Sequence, residues 1–395
     1  MRSQAVLPVL FACLVLASCA PVPAGGPLAT EVQVQGTIFA AAAASADAFD
    51  LTATPLQPVP PTPTPWPTSM PRPPKLVGVL LGADWDPIHP ERVSFGVRTD
   101  VFVVYIIDEA YDPVRLTLIA LPRDLWVGIP PSGYCQTAGT LDRINSAWGV
   151  YGDPAGGGDP FACVADVVEW NLGLEVNAPI AYIELRGFVA LIDRIGGITV
   201  TPGEDYTDFC GDILGTEGDG GEWRTWKAGR SYSLRGNEAL CYVRGRRVAI
   251  GDLDRNRRAL EVLKAIRETV FETTGGYPEG LWTFVEFGRD YVDLGLRGPS
   301  SFAGGEENVV SLIWHLLPLA VELGDADLRM IRLGTDQTDF WTTPRGASVV
   351  VPTVNLLPWL VCVMATDNVK RCTTNHPIPP RDMCVLQLGG EACDQ

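Results

Sequence analysis

Histidine is scarce in this sequence: His89, His315 and His376 are the only three in 395 residues. None stands near a cluster of polar residues, so a serine or cysteine hydrolase that relies on an imidazole has no evident base. Positive charge is scarce as well. Lys and Arg number 30 against 47 Asp and Glu, a net charge of −17, and a nucleic-acid partner, which needs a basic surface, is excluded. No Cys-x-x-Cys pair occurs, which removes the usual thiolate zinc and redox sites. The apolar run near the start, Ala5 to Leu16, is only about twelve residues, too short to cross a bilayer as a helix.

That short run follows Arg2 and ends in Leu16-Ala17-Ser18-Cys19. Small residues before a cysteine at this place resemble a bacterial lipobox, in which the cysteine is lipidated and becomes the new N-terminus. The expectation is a lipoprotein signal peptide at 1–18 and a membrane anchor on Cys19. Eight cysteines then remain, an even number in an oxidising compartment, so disulfides are expected. Nearest-neighbour pairing gives 135–163, 210–241, 362–372 and 384–393. Residues 19–74 read as an Ala/Pro-rich linker, because the proline density of TATPLQPVPPTPTPWPTSMPRPP allows neither helix nor sheet and makes a stiff extended spacer.

From residue 75 onward, continuous apolar runs bounded by Gly, Pro and Asp predict strands at 76–84, 100–108 and 114–124, with further strands at 178–185, 198–200, 239–245 and 328–333. Helical apolar spacing appears at 160–173, 186–197 and 309–324. A long helix, capped by Asp252 or Asp254, runs to about Thr273 with a core stripe of Leu260, Leu263, Ile266 and Val270. Strands alternating with helices predict an α/β domain over 75–335, an αβα sandwich with a central mixed β-sheet flanked by helices. The tail over 336–395 reads as a disulfide-rich extension.

One fifth of the positive charge falls in fifteen residues. CYVRGRRVAIGDLDRNRR (241–258) holds six arginines and no lysine. Arginine grips planar, multi-oxygen anions with a rigid fork of donors. Read on a strand end with period-2 spacing, Arg244 and Arg246 lie where α/β proteins keep their sites. Arg255, in the first turn of the next helix, adds to them, with Asp252 supporting it. Arg247, Arg257 and Arg258 are then surface residues. Other strand ends supply Asp84, Arg98, Asp100 and Arg123, and a loop supplies Arg143. Arginines with two or more carboxylates fit a site where a hard divalent cation and guanidinium groups share a diphosphate.

LLGAD, RTD, ALPRD, DRINSAW, GFVALIDRIGGITV and LCYVRGRRVAIGDLDRNRR, in this order, resemble the LytR-CpsA-Psr family of bacterial cell-wall glycopolymer transferases over roughly residues 76–270. The resemblance implies transfer of a phosphoglycosyl polymer from a polyprenyl-diphosphate carrier to peptidoglycan, with an apolar pocket for the polyprenyl chain. It implies that Asp84 and Asp100 hold Mg²⁺ (or Mn²⁺). It implies that Arg98, Arg123, Arg143, Arg244, Arg246 and Arg255 bind the diphosphate with Asp252 in support, and that Asp100, Arg123 and Arg246 carry catalysis. The protein would then sit on the outer face of the cytoplasmic membrane. Thr99 stands where the family has serine, Trp85 where it often has arginine, Arg143 where it has lysine and Ala259 where it often has glutamine. Two other activities fit the same residues: a non-catalytic polyprenyl- or glycan-binding envelope protein, and a pyrophosphatase acting on the same carrier. The inner faces of 178–185, 186–197 and 239–245 are expected to line the pocket.

Overall fold

The computed structural model describes residues 75–84, 97–137, 139–210, 221–245, 251–273, 292–295, 323 and 326–379. Cys19, Trp85, Arg246, Arg247, Cys384, Cys393 and all but residue 323 of the predicted helix at 309–324 lie outside them, and Asp252 is described by its backbone alone.

The strands in chain order are β1 (Lys75–Ala83), β2 (Thr99–Asp108), β3 (Arg115–Leu121), β4 (Trp126–Ile129), β5 (Thr140–Arg143), β6 (Ile180–Ile183), β7 (Ile198–Val200), β8 (Tyr206–Cys210), β9 (Glu222–Trp226), β10 (Tyr232–Leu234), β11 (Val292–Gly295), β12 (Asp327–Arg332), β13 (Thr338–Thr342) and β14 (Ser348–Pro352). The α-helices are α1 (Pro160–Leu172), α2 (Leu185–Arg194), α3 (Gly236–Arg244), α4 (Gly251–Thr273), α5 (Leu356–Thr366) and α6 (Val369–Asn375). Six strands form the central sheet in the order β11-β6-β1-β2-β3-β12. β1 runs parallel to β6 and antiparallel to β2, and β3 is antiparallel to β2 and parallel to β12, so the sheet is mixed.

Both faces of this sheet are covered, which is why its inner strands are apolar without interruption. Alternate residues of β2 sort to opposite sides. Phe102, Val104 and Ile106 join a core with Val164, Val167 and Val168 of α1 and Trp359, Leu360 and Val363 of α5. Val103 packs on the other side with Leu118, Ala120 and Leu260 of α4. The αβα sandwich is therefore as expected. A second core under β7 to β10 joins α2, α3 and α4 through Ile192, Leu240, Tyr242, Val262 and Ile266. The segment after residue 336 adds the β13–β14 hairpin, α5 and α6, and buries Val350, Trp359 and Val363 in the same core as the sheet. Disulfides join Cys135 to Cys163, Cys210 to Cys241 and Cys362 to Cys372, the pairs that nearest-neighbour spacing predicts. The pair 384–393 falls outside the described residues.

One predicted element changes type. Of residues 239–245, expected as a strand, all but Gly245, the helix C-cap, belong to α3. The run Ala239-Leu240-Cys241-Tyr242-Val243 is buried on every side, so it shows no polar interruption, and a short apolar run cannot declare its period. The helix is started by Glu238, whose carboxylate accepts the Arg235 N–H at 3.0 Å, half of a capping box.

Candidate functional site

The strand directions bring the ends of β1, β3 and β6 and the beginning of β2 to one edge of the sheet. That edge carries Asp84 after β1, Arg98 and Asp100 at the start of β2, Arg123 and Asp124 after β3, and Glu184 after β6. The N–H of Asp84 donates to the Arg98 carbonyl at 2.9 Å, tying two of these ends together. The β1–β2 ladder slips here. Gly82 pairs with Val101 and Ala83 with Thr99, so Asp100 is the extra residue of a bulge. A bulge re-aims side chains and interrupts the ladder.

Asp100 is 4% exposed. It accepts a hydrogen bond from Arg123 Nη1 at 2.5 Å, and Arg255 Nη1 lies 3.5 Å from its other oxygen. Arg123 Nε donates to Asp124 Oδ2 at 3.2 Å, and Arg143 Nε lies 3.5 Å from Asp124 Oδ1. Arg255, Asp100, Arg123, Asp124 and Arg143 thus form one chain of alternating charge. Beside it, Arg244 at the last position of α3 donates through Nη2 to Asp84. The C-terminal end of a helix favours a cation, so α3 places a guanidinium where the sequence reading wanted one, by a different element. The Arg98 Nε and both side-chain polar atoms of Asn145 are buried without a hydrogen-bond partner, and the Asn145 N–H is held by the Arg123 carbonyl at 3.2 Å.

An apolar cavity of about 410 Å³ opens against this cluster. Leu81 and Val101 of the sheet, Phe188 and Leu191 of α2, Leu240 and Val243 of α3, and Val262 and Ile266 of α4 line it, with Asp100, Glu184 and Arg244 as its charged lining. The contribution of α4 was missed in the sequence, although Ala259, Val262, Leu263 and Ile266 keep the i, i+3, i+4, i+7 spacing of one helix face. Ala259, where a glutamine was the family expectation, is part of this wall.

Two readings are corrected. Arg257 and Arg258 are not a surface remainder. Arg258 is fully buried, stacked 4.1 Å from the centre of the Tyr206 ring and donating to the Gly245 carbonyl. Its burial holds its pKa below the ordinary arginine value. Arg257 is held by Glu261 at 2.9 Å and Glu204 at 3.7 Å. Arg255 is the fifth residue of α4, past the first turn, so its own N–H is inside the helical ladder and only its guanidinium faces the site. Of the predicted site residues, the structure joins Asp100, Arg123, Arg143 and Arg255 in one network and pairs Asp84 with Arg244. Arg246 and the side chain of Asp252 are not among the described residues. Asp124 is the site residue that the reading passed over, although it follows Arg123 directly in ALPRD.

The donor set bears on the implied Mg²⁺. Among the described residues no cluster of three or more His, Cys, Asp or Glu could enclose a metal ion. Asp84 and Asp100 each accept from a guanidinium, but a carboxylate has about four lone-pair positions. Mg²⁺ characteristically takes only one or two carboxylates and completes its shell with phosphate oxygens and water. Two carboxylates at one sheet edge fit such a shared ion and do not fit an all-protein cage.

The chain has relatives among known proteins. The chain is 29% identical over 226 residues to the probable cell wall biosynthesis protein LcpB of Corynebacterium glutamicum, an alignment covering 57% of this chain and 44% of that protein. It therefore spans under half the length of that curated relative. Among solved structures, gbs0355 from Streptococcus agalactiae has the same fold, with a TM-score of 0.54 at 18% identity over 80% of this chain and 95% of that one. A LytR-Csp2A-Psr enzyme from Actinomyces oris gives a TM-score of 0.48 at 19% identity, over 73% and 89% of the two chains. The LytR_cpsA_psr family model matches residues 74–274, from β1 through α4 and just over half of the chain, and with the sheet-edge arginines and carboxylates all inside that span, this protein belongs to the LytR-CpsA-Psr family.

Proposed function

We propose that this protein transfers a phosphate-linked glycopolymer from a polyprenyl-diphosphate carrier to peptidoglycan or another cell-envelope acceptor. The observation that carries the reading is the contact between an apolar cavity and a guanidinium cluster, with Asp100 and Arg244 belonging to both. An amphiphile with a long hydrocarbon and a diphosphate head needs both halves. Each buried methylene contributes about 0.8 kcal/mol, and the arginines would neutralise the phosphates.

In the transfer, an acceptor hydroxyl oxygen attacks the phosphorus that bears the glycan. The new P–O bond forms as the bond to the bridging oxygen breaks, polyprenyl phosphate leaves with the electron pair, and the hydroxyl proton passes to the departing phosphate or to water. Arg123, Arg244 and Arg255 stabilise charge on the non-bridging and departing oxygens, as preorganised donors do. Asp100 holds two of those guanidiniums in place, and Asp124 orients Arg123 against Arg143. Asp84 and Asp100 would hold Mg²⁺ or Mn²⁺, which would offset phosphate charge when bound. Cys19 would carry a lipid, and residues 19–74 would hold the domain off the outer face of the membrane. No helix among the described residues is long and apolar enough to cross a bilayer.

The test is turnover of a labelled polyprenyl-diphosphate-linked glycan with and without peptidoglycan. Label transferred to peptidoglycan is the expected result. Equal release of label in both arms would replace the transferase with a pyrophosphatase, and tight binding with no release in either would leave a binding protein.

A further inference from the structure

The chain of alternating charge has a direction. It runs from Arg255 and Asp100, the latter in the cavity lining, to Arg143 on β5. Arg143 is the register partner of Trp126 on β4, and directly opposed residues of an antiparallel pair share a face with their Cβ atoms about 5 Å apart. Gly128 lies two residues along β4, on the same face. A side chain there would point at an indole: a Cβ on Gly128 would lie 3.0 Å from Trp170 Nε1. Trp170 of α1 therefore occupies the side-chain space of Gly128 and is 38% exposed. Asn171 fixes it there, accepting the Gly128 N–H at 3.0 Å and donating to the Gly128 carbonyl at 2.8 Å. On the other side, Trp341 of β13 meets Trp126 edge-on, with ring centres 6.1 Å apart at 70°. The hairpin that carries it is tied to the same segment, the Val350 N–H donating to the Asp124 carbonyl at 2.9 Å. Three tryptophans, each with part of its surface in solvent, thus border the anion site at the end away from the apolar cavity.

We propose that Trp126, Trp170 and Trp341 form a saccharide subsite that receives the first sugars of the carrier-linked glycan. A pyranose ring shows a face of weakly positive C–H bonds, which suits the negative face of an indole, and its hydroxyls suit Arg143 and Asp124 at the rim. The order along the protein matches the order along the ligand. The hydrocarbon is next to Asp100, the diphosphate is at Arg123, and the sugar bonded to that diphosphate comes next, at Arg143 and Trp126. This inference rests on the polyprenyl-diphosphate reading and adds where the glycan lies.

The test compares Trp126→Ala and Trp341→Ala in the full chain, with Trp341→Phe as a variant that keeps an aromatic face. The probes are farnesyl diphosphate, farnesyl diphosphate bearing an N-acetylglucosamine disaccharide, and a soluble peptidoglycan glycan fragment, with binding measured by calorimetry and folding by thermal melting. The expected result is about a tenfold loss of affinity for the glycosylated diphosphate in each alanine variant, with the plain diphosphate unchanged and Trp341→Phe near the parent. Equal loss on both diphosphates, or no loss on either, overturns the subsite and leaves the carrier reading standing. A loss confined to the peptidoglycan fragment overturns the assignment to the carrier's glycan in favour of the acceptor. No binding of either diphosphate by the parent protein overturns the carrier reading and this inference with it. If the alanine variants do not fold, Trp341→Leu replaces them in the same comparison: a tenfold loss on the glycosylated diphosphate alone supports the subsite, and any other pattern overturns it.

Discussion

Replacing Asp100 by asparagine keeps the shape of the side chain and removes its charge. The carboxylate is 4% exposed and faces two guanidiniums, Arg123 at 2.5 Å and Arg255 at 3.5 Å, and Arg255 is itself only 1% exposed. Asparagine still accepts one hydrogen bond through Oδ1, but its NH₂ group points donors at donors. A hydrogen bond to a charged group contributes about 1.5–3 kcal/mol, and removing one member of a buried ion pair costs about 3–5 kcal/mol because the other charge stays buried. The longer contact to Arg255 adds less than the short one, so the expected loss is about 3 kcal/mol. For a domain of this size that corresponds to roughly 6–12 °C in Tm. Urea is the right denaturant, since guanidinium chloride would supply a competing cation. The expected outcome is a lower midpoint at unchanged slope, the sign of a change in stability alone. Asp124→Asn, which loosens the more open end of the chain of charge, should cost less than half as much. A loss below about 1 kcal/mol for Asp100→Asn would refute the argument that Asp100 neutralises two guanidiniums in the interior.

Arg244→Lys keeps the charge but gives up the two-pronged grip, and it should lower transfer by one to two orders of magnitude, about 1.4–2.8 kcal/mol, with the melting temperature nearly unchanged. Arg258→Lys should do the reverse, since it loses the Tyr206 stacking and the bond to the Gly245 carbonyl; about 2 kcal/mol of stability is expected to go. Val262→Trp, projecting into the cavity from α4, should weaken binding of a long polyprenyl phosphate at least tenfold in a partition assay and leave a short prenyl diphosphate almost unaffected. Replacing Cys210 and Cys241 by alanine opens a loop of 31 residues and should cost about 3–4 kcal/mol by chain entropy, read as a lower urea midpoint. Cys19→Ala should move the protein from the membrane fraction to the soluble one.

The sheet was legible because its strands are near-continuous apolar runs between turn residues, a signal that survives without any tertiary information. β1, β2 and β3 emerge close to their predicted limits. α3 was not legible, since burial on all sides erased the polar positions that would have revealed its period. The β-bulge at Asp100 left no local trace, because register is a property of two strands and RTD is only one of them. The arginines were recognisable as a candidate cluster by type and crowding. Which of them turn inward was not, because helical phase decides it. Arg255 and Arg258 are three apart on α4 and share its buried face, whereas Arg257 lies between them in sequence and meets Glu261 one turn on. Arg258 was misplaced although it follows Arg255 by three residues, a spacing that puts both on one helix face wherever the helix starts. The tryptophan face was hidden for a similar reason: Trp126, Trp170 and Trp341 come from three elements separated by long stretches of chain, and only the packing joins them.

The acidic balance of the protein bears on how the site can exist before any ligand arrives. Four guanidiniums at one sheet edge would repel one another, and a buried cation without a counter-charge is costly. Asp84, Asp100 and Asp124 each stand beside at least one of them, so the unliganded cluster is an alternating lattice instead of a knot of positive charge. The consequence is preorganisation. Each arginine is held in place by a neighbouring carboxylate, and the forked donors of a guanidinium suit the oxygens of a phosphate. A diphosphate ligand, as proposed, would add its charge without having to gather mobile side chains, which is where arginine sites otherwise lose affinity. On this argument the carboxylates are needed even where they touch no substrate, and Asp124, absent from the motif-based reading, acts by positioning Arg123 and Arg143. Asp124→Asn should therefore raise KM for the diphosphate carrier several-fold with a smaller change in kcat. A fall in kcat at constant KM would instead mean that Asp124 acts on the reacting groups themselves.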